Sequence, residues 1–211
     1  MASELVDTIA LRAEGLRGLR AAWQALKAEH PDEHCYGFGF YSHDAGGVEP
    51  IAFTEEGLTI VVDRYQEMVA SGESPYLRQL SDADRSSSLR WSPGDSQRHG
   101  IGADELEAAS QIALDSQSAF DQLCEAFDPD DDDTEIERQY DLRISTVYDT
   151  LVEVLNEVRS EGLFGDLTDT LVLNVWEGDQ SFEDRSAFAH RCNPSEVAER
   201  FIREEEASYS L

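Results

Sequence analysis

The spacing of apolar residues predicts several amphipathic helices in this chain. In residues 6–26 apolar side chains recur every three or four positions, which is the period of one helix face. The same period follows Thr54, which precedes two glutamates and therefore resembles a helix N-cap with acids in the first turn. It recurs through residues 106–127 and 136–158. These two segments are separated by a short acidic turn, so we expect an antiparallel helical hairpin within residues 103–160.

Three other segments show strand patterns. Residues 34–42 alternate Tyr and Phe with small residues, and two glycines leave one strand face bare for another chain segment to approach. Residues 48–54 are expected to return as the partner strand, and their Pro50 predicts an edge position or a bulge. Residues 170–177 are almost continuously apolar, which predicts a central strand. Residues 71–88 have the composition of a polar connection.

This order of elements predicts an α+β fold. We expect one domain over residues 1–205, with a small, mainly antiparallel sheet packed with amphipathic helices that include the long antiparallel hairpin. Residues 206–211 are predicted to form a frayed tail.

Charge excludes several classes of function. The chain of 211 residues has 45 acidic and 16 basic residues, a net charge of −29 and a pI near 4.2. Residues 101–211 carry most of this negative charge. Such a surface repels nucleic acids and anionic lipids, so we predict neither as a partner, whereas a basic protein would be attracted.

The sequence predicts a cytoplasmic protein. It contains no apolar run long enough to span a membrane, and its N-terminus lacks the pattern of a signal peptide. Cys35, Cys124 and Cys192 are odd in number and widely spaced, which favours reduced thiols over a disulfide or a zinc site. Lys27 is the only lysine. Genome composition and adaptation to high salt both remain explanations of the scarcity of lysine and of the acidity.

Most catalytic and metal-binding motifs are absent. The acidic run at residues 128–133 does not match the Gly and Glu spacing of an EF-hand, so we interpret it as a solvated turn capped by Thr134 and Glu137, with weak divalent-cation binding left open. His30 and His34 are separated by Pro31, which would break the helix that a zinc motif needs. No cofactor is predicted.

Two clusters remain as candidate sites. The first contains Arg90, Trp91, Arg98 and His99, a positive island that could bind an anion or a carboxylate of a partner. The equally weighted alternative is that Trp91 fills the core and Arg90 pairs with an acid. The second contains Glu177, Asp179 and Asp184 at the end of the 170–177 strand, where a divalent metal could bind. Its alternative, which we favour, is a structural turn through Gly178.

Four segments carry a resemblance to a known family. These segments are FGFYS (38–42), PIAFTEEGL (50–58), RWSP (90–93) and LVLNVWEGDQS (171–181). Together they resemble the bacterial family called domain of unknown function 4303. The resemblance covers residues 1–205 and brings no assigned catalytic residue. Genes of such families often lie within toxin–immunity or other conflict loci, and this part of the resemblance implies a protein-binding role.

The leading functional hypothesis is therefore a non-enzymatic interaction module of an immunity-like kind that binds a basic partner. One alternative is a divalent-metal-dependent enzyme that uses the acids after the 170–177 strand. A second alternative is an acidic protein adapted to high salt. The sequence predicts no oligomeric state.

Overall fold

The computed structural model describes residues 5–72, 81–126 and 133–209, which form one α+β domain. Its helices are α1 (Thr8–Glu29), α2 (Glu55–Ser71), α3 (Asp82–Leu89), α4 (Glu107–Glu125), α5 (Asp133–Ser160), α6 (Phe182–Cys192) and α7 (Ser195–Tyr209). Its strands are β1 (Cys35–Tyr41), β2 (Glu49–Thr54), β3 (Arg98–His99) and β4 (Val172–Trp176). No helix in the described ranges is long and apolar enough to cross a bilayer.

The four strands form a mixed sheet in the order β3-β2-β1-β4. The β1–β2 and β2–β3 pairs are antiparallel, whereas β1 and β4 are parallel. The prediction of a central position for residues 170–177 was wrong, because β4 lies at the end of the strand order. Every residue of β4 is nevertheless buried. The apolar sequence of β4 therefore reflects the burial of both its faces under helices. It does not require a neighbouring strand on each side.

Each face of the sheet has its own apolar core. Phe38 and Phe40 of β1 point into the larger core, which also contains side chains of α1, α4 and α5. Phe53, Trp176 and other side chains form the smaller core on the opposite face, together with Trp91 and α7. The sheet is thus covered on both sides, which explains why its strands carry few polar residues.

Glycines at two close approaches are required by packing. A Cβ atom on Gly37 would lie 2.6 Å from the Trp91 ring, and one on Gly18 in α1 would lie 2.5 Å from the carbonyl oxygen of Glu105. The bare strand face predicted from the sequence is therefore covered by a tryptophan ring. Gly18, which lowers intrinsic helix propensity, lets the segment before α4 pack closely against α1.

The hairpin of α4 and α5 has the predicted antiparallel arrangement. The Phe120 and Tyr140 rings lie 5.5 Å apart, and Arg143 contacts Ser116 one turn earlier on α4. The acidic run at 128–133 lies outside the described residues except for the start of α5 at residue 133.

Two other segments differ from expectation at their ends. The predicted polar connection contains α3, which Ser81 and Asp84 initiate with a capping box. The predicted tail overlaps α7, which continues to Tyr209.

All three cysteines are free thiols. Burial raises the pKa of Cys35 and of Cys192 to about 12, so neither forms a thiolate readily at neutral pH.

Candidate functional site at the carboxyl end of the sheet

The carboxyl ends of β1 and β4 lie side by side because these strands are parallel. Tyr41 pairs with Trp176, and the amide of Ser42 donates to the Trp176 carbonyl oxygen over 2.9 Å. The chain then leaves β1 through a tight turn and leaves β4 through Glu177. Loops that meet at this edge of parallel strands commonly form binding sites.

The turn after β1 has an unusual backbone conformation. Asp44 and Ala45 have φ angles of 50° and 52°, and the amide of Gly46 donates to the His43 carbonyl oxygen over 2.8 Å. Positive φ at both central positions is typical of a type I′ turn, where Asn-Gly sequences are preferred. Ala45 has no exposed surface. The turn therefore keeps a strained alanine in the core, and neighbouring groups must hold it there.

Arg143 of α5 is one of these groups. Its side chain has no exposed surface, and its guanidinium donates to the carbonyl oxygens of Asp44 (2.8 Å) and Ala45 (3.1 Å). Burial lowers the pKa of Arg143. The buried guanidinium thus ties the turn to α5 through main-chain acceptors.

Glu177 and Tyr148 hold the turn from the β4 side. Glu177 accepts hydrogen bonds from the amide of Asp44 (3.0 Å) and from the hydroxyl of Tyr148 (3.1 Å). The Tyr148 hydroxyl also lies 3.3 Å from the amide of Ala45, from which it accepts a hydrogen bond. Burial, followed by the charge of Glu177, raises the pKa of Tyr148. The carboxylate of Glu177 thus connects the ends of both strands.

A groove of about 420 Å³ opens beside this network, between α5 and α6. Four carboxylates line it, together with the rings of Tyr148 and Phe188. These carboxylates belong to Asp141, Asp149, Glu177 and Asp184. The only base in its lining, Arg191, donates to Asp149 over 2.7 Å. The groove therefore combines excess negative charge with aromatic surface, which suits a cation.

The structure brings two of the three predicted metal ligands to the groove. Glu177 and Asp184 line it, whereas Asp179 is exposed on the preceding turn and is not part of the lining. Asp184 also accepts from the Ser181 hydroxyl over 2.7 Å at the start of α6. No group of three or more His, Cys, Asp or Glu side chains converges as a metal-ligand set in the part of the chain that the structure describes. Metal binding stays a prediction.

The first predicted cluster is occupied by contacts within the chain. Trp91 is 3% exposed and donates to Glu204, while Arg90 forms ion pairs with Glu55 and Glu204. Arg98 donates to Glu33 over 2.9 Å, and the His99 ring lies 3.1 Å from a Glu49 oxygen. These contacts agree with the alternative interpretation, in which Trp91 fills the core and Arg90 pairs with an acid. Anion or partner binding by the four residues stays a prediction.

The comparison with family models decides the family. The model of the domain of unknown function DUF4303 matches residues 16–194, most of the chain. The chain belongs to this family. No curated protein and no solved structure matched it. The DUF4303 match includes the turn after β1 and every residue that lines the groove, while all of α7 lies beyond it.

Sequence reasoning missed several groove residues of this DUF4303 protein. Tyr148 was interpreted as part of the apolar stripe of α5, which is correct for its ring but does not reveal its hydroxyl contacts. Phe188 and Arg191 of the groove carried no motif, and neither did Arg143, which holds the turn after β1. The available signal was an arginine at an inward position of an amphipathic helix, since Arg143 falls three residues after Tyr140 and four before Val147 of the apolar stripe.

Proposed function

We propose that this DUF4303 protein is a non-enzymatic interaction module that captures a basic segment of a partner protein. The supporting observation is the charge of the α4–α5 hairpin. The sequence of α4 contains four acidic residues and no basic one, and that of α5 contains seven acidic and three basic residues. A concentrated negative field of this kind accelerates encounter with a basic protein and disfavours acidic competitors.

The bases of α5 do little to neutralise this surface. Arg143 is buried against the turn after β1, and Arg159 donates to carbonyl oxygens and to Asn193. Only Arg138 is exposed, and it pairs with Glu135 within the same helix. The exposed acids are Glu107, Asp115, Asp121, Glu125, Glu137, Asp141, Asp149 and Glu153. Of these, only Asp149 has an arginine partner in the described structure.

A binding experiment with the full chain tests this proposal. The probes are a 12-residue peptide rich in lysine and arginine and a peptide of equal length with glutamine at the basic positions, each titrated at two salt concentrations. The triple variant Asp115→Asn, Asp121→Asn and Glu137→Gln removes three charges from the hairpin. We expect it to weaken binding of the basic peptide about tenfold, with a smaller salt dependence than the parent chain.

A matched variant separates a hairpin surface from the general field of the molecule. Asp63→Asn, Glu67→Gln and Glu196→Gln remove the same charge from exposed positions on α2 and α7. We expect this control to weaken binding less than threefold, by long-range electrostatics alone. Equal losses in the two triple variants, or no preference for the basic peptide, would overturn the proposal.

A further inference from the structure

We propose that the groove between α5 and α6 binds an arginine side chain of the partner, and we call this binding site the arginine seat. Arg191 of the chain itself occupies the arginine seat in the unbound protein. This inference rests on the proposed function and names the chemistry of the partner. It assigns Arg191 the role of an internal stand-in that a partner arginine replaces.

The contacts of Arg191 show how the groove binds a guanidinium group. Its Nη2 donates to Asp149 over 2.7 Å, and its Cζ lies 5.6 Å from the centroid of the Phe188 ring. The Tyr148 ring meets Phe188 edge-on at 5.6 Å and continues the aromatic wall. A carboxylate and an aromatic face on one cation are the two elements of arginine recognition.

A second arginine of the same chain shows what a complete seat contains. The Arg90 guanidinium lies 4.0 Å above the Tyr36 ring and pairs with both Glu55 and Glu204. Arg191 has the ring and one carboxylate. The groove still offers Asp141 and Asp184 on its walls, and neither pairs with a base in the described structure. The groove therefore has acceptors for more positive charge than Arg191 supplies.

Exchange of Arg191 for a partner side chain would cost little. The side chains of Arg191 and Asp149 are 45% and 57% exposed, and ion pairs this open contribute little to folding stability. A cavity of about 420 Å³ also leaves room beside Arg191 for an incoming side chain. The partner arginine would gain the Asp149 contact and the Phe188 face together with the remaining acids.

Arginine fits this seat better than lysine. A planar guanidinium stacks on a ring and donates in parallel to a carboxylate, whereas an ammonium group acts as a compact, strongly hydrated point charge. The groove places carboxylates beside the Phe188 ring, near which the Arg191 guanidinium already lies. The structure thus favours the guanidinium head group.

The test uses single-site peptides and two arginine variants of the full chain. One peptide carries a single arginine in a Gly-Ser background, and the other carries lysine at the same position. The variants are Arg191→Ala and Arg138→Ala, which remove equal charge from exposed positions on α6 and α5. Affinities are measured by NMR titration, and thermal unfolding confirms that both variants fold.

We expect Arg191→Ala to bind the arginine peptide about five- to tenfold more tightly than the parent, with less than a twofold gain for the lysine peptide. Arg138→Ala should gain less than twofold with either peptide. Adding Asp149→Asn to Arg191→Ala should cancel the gain. Equal gains in affinity in the two arginine variants, or equal gains for the two peptides, would overturn the proposed arginine seat. The proposed function would stand in that case if the hairpin triple variant still lost binding of the basic peptide.

Discussion

The side chain of Asn193 pairs with the main chain of Leu173 as a neighbouring strand would. Its Nδ2 donates to the Leu173 carbonyl oxygen over 2.6 Å, and the Leu173 amide donates to its Oδ1 over 2.8 Å. Leu173 lies on β4, the strand at the end of the sheet order. One amide side chain therefore satisfies both main-chain groups of a residue on the open edge, and edges satisfied in this way are poor templates for aggregation.

We expect replacement of Asn193 to destabilise the protein. Asn193→Asp keeps the shape but turns acceptor oxygens toward the carbonyl oxygens of Leu173 and Ala189, to which Nδ2 now donates. Because these groups are partly or fully buried, we expect the free energy of unfolding to fall by about 2–3 kcal/mol, as measured by urea titration. Asn156→Ala, which removes one exposed hydrogen bond to the Arg191 carbonyl oxygen, is the control and should cost below about 1 kcal/mol. Similar losses in both variants would contradict the role of Asn193.

The turn after β1 gives a second prediction. Ala45 has a φ of 52° and no exposed surface. Ala45→Gly relieves the backbone strain but loses a buried methyl group, so we expect a change in the free energy of unfolding within about 1 kcal/mol. Ala45→Val adds a β-branched side chain at positive φ and should cost about 2–3 kcal/mol. Thermal unfolding of both variants measures this difference. A valine variant as stable as the glycine variant would show that the turn does not hold its conformation.

Glu205 predicts a pH dependence of stability. Its side chain is 2% exposed and lies 2.7 Å from Arg185, and burial raises its pKa to about 7 despite the charge of Arg185. A carboxyl group with a raised pKa in the folded state favours folding fully below its unfolded pKa. That contribution is lost as pH rises from about 4.5 through about 7. The expected loss is on the order of 3 kcal/mol.

Urea titrations of the parent chain and of Glu205→Gln between pH 4.5 and 8 isolate this contribution. A glutamine does not titrate, so the difference in free energy of unfolding between the two proteins should change across this range in favour of the variant. A difference that stays constant with pH would show that Glu205 ionises as freely in the folded as in the unfolded chain.

Local signals in the sequence predicted much of the helical framework. Thr54 accepts from the amide of Gly57 at the start of α2, as predicted of an N-cap. The strand order was not accessible in this way. The apolar run of β4 has the same pattern whether a strand or a helix covers it, and no sequence motif marks Asn193 as the residue that closes the sheet edge.

The candidate site was predictable only in part for a similar reason. Glu177 and Asp184 were found because acids after an apolar strand stand out in the sequence. Tyr148 lies on α5, 29 residues before Glu177, and only the tertiary fold brings it to the groove. Arg191 lies two turns after Asp184 on the same helix, but the sequence does not show which segment faces that side of α6. The apolar period of α5 marks Tyr148 as a core position but contains no information about which carboxylate its hydroxyl reaches.

The contact between His34 and Glu56 supplies the final prediction. The His34 Nδ1 lies 2.6 Å from a Glu56 oxygen, and the His34 amide donates to the same carboxylate over 2.8 Å. The hydrogen bond to Glu56 raises the pKa of His34, and the same contact lowers the pKa of Glu56 to about 2. The contribution of the pair to folding is therefore lost as pH rises through the raised pKa of His34 and as pH falls through about 2.

NMR titration of the His34 ring should give a pKa above 6.5, and Glu56→Gln should bring it back toward that value. Glu55→Gln removes the same charge from a carboxylate that is paired with Arg90, so it should lower the pKa of His34 much less. Equal effects of the two glutamine variants would show that His34 responds to the general negative field and not to its bond with Glu56.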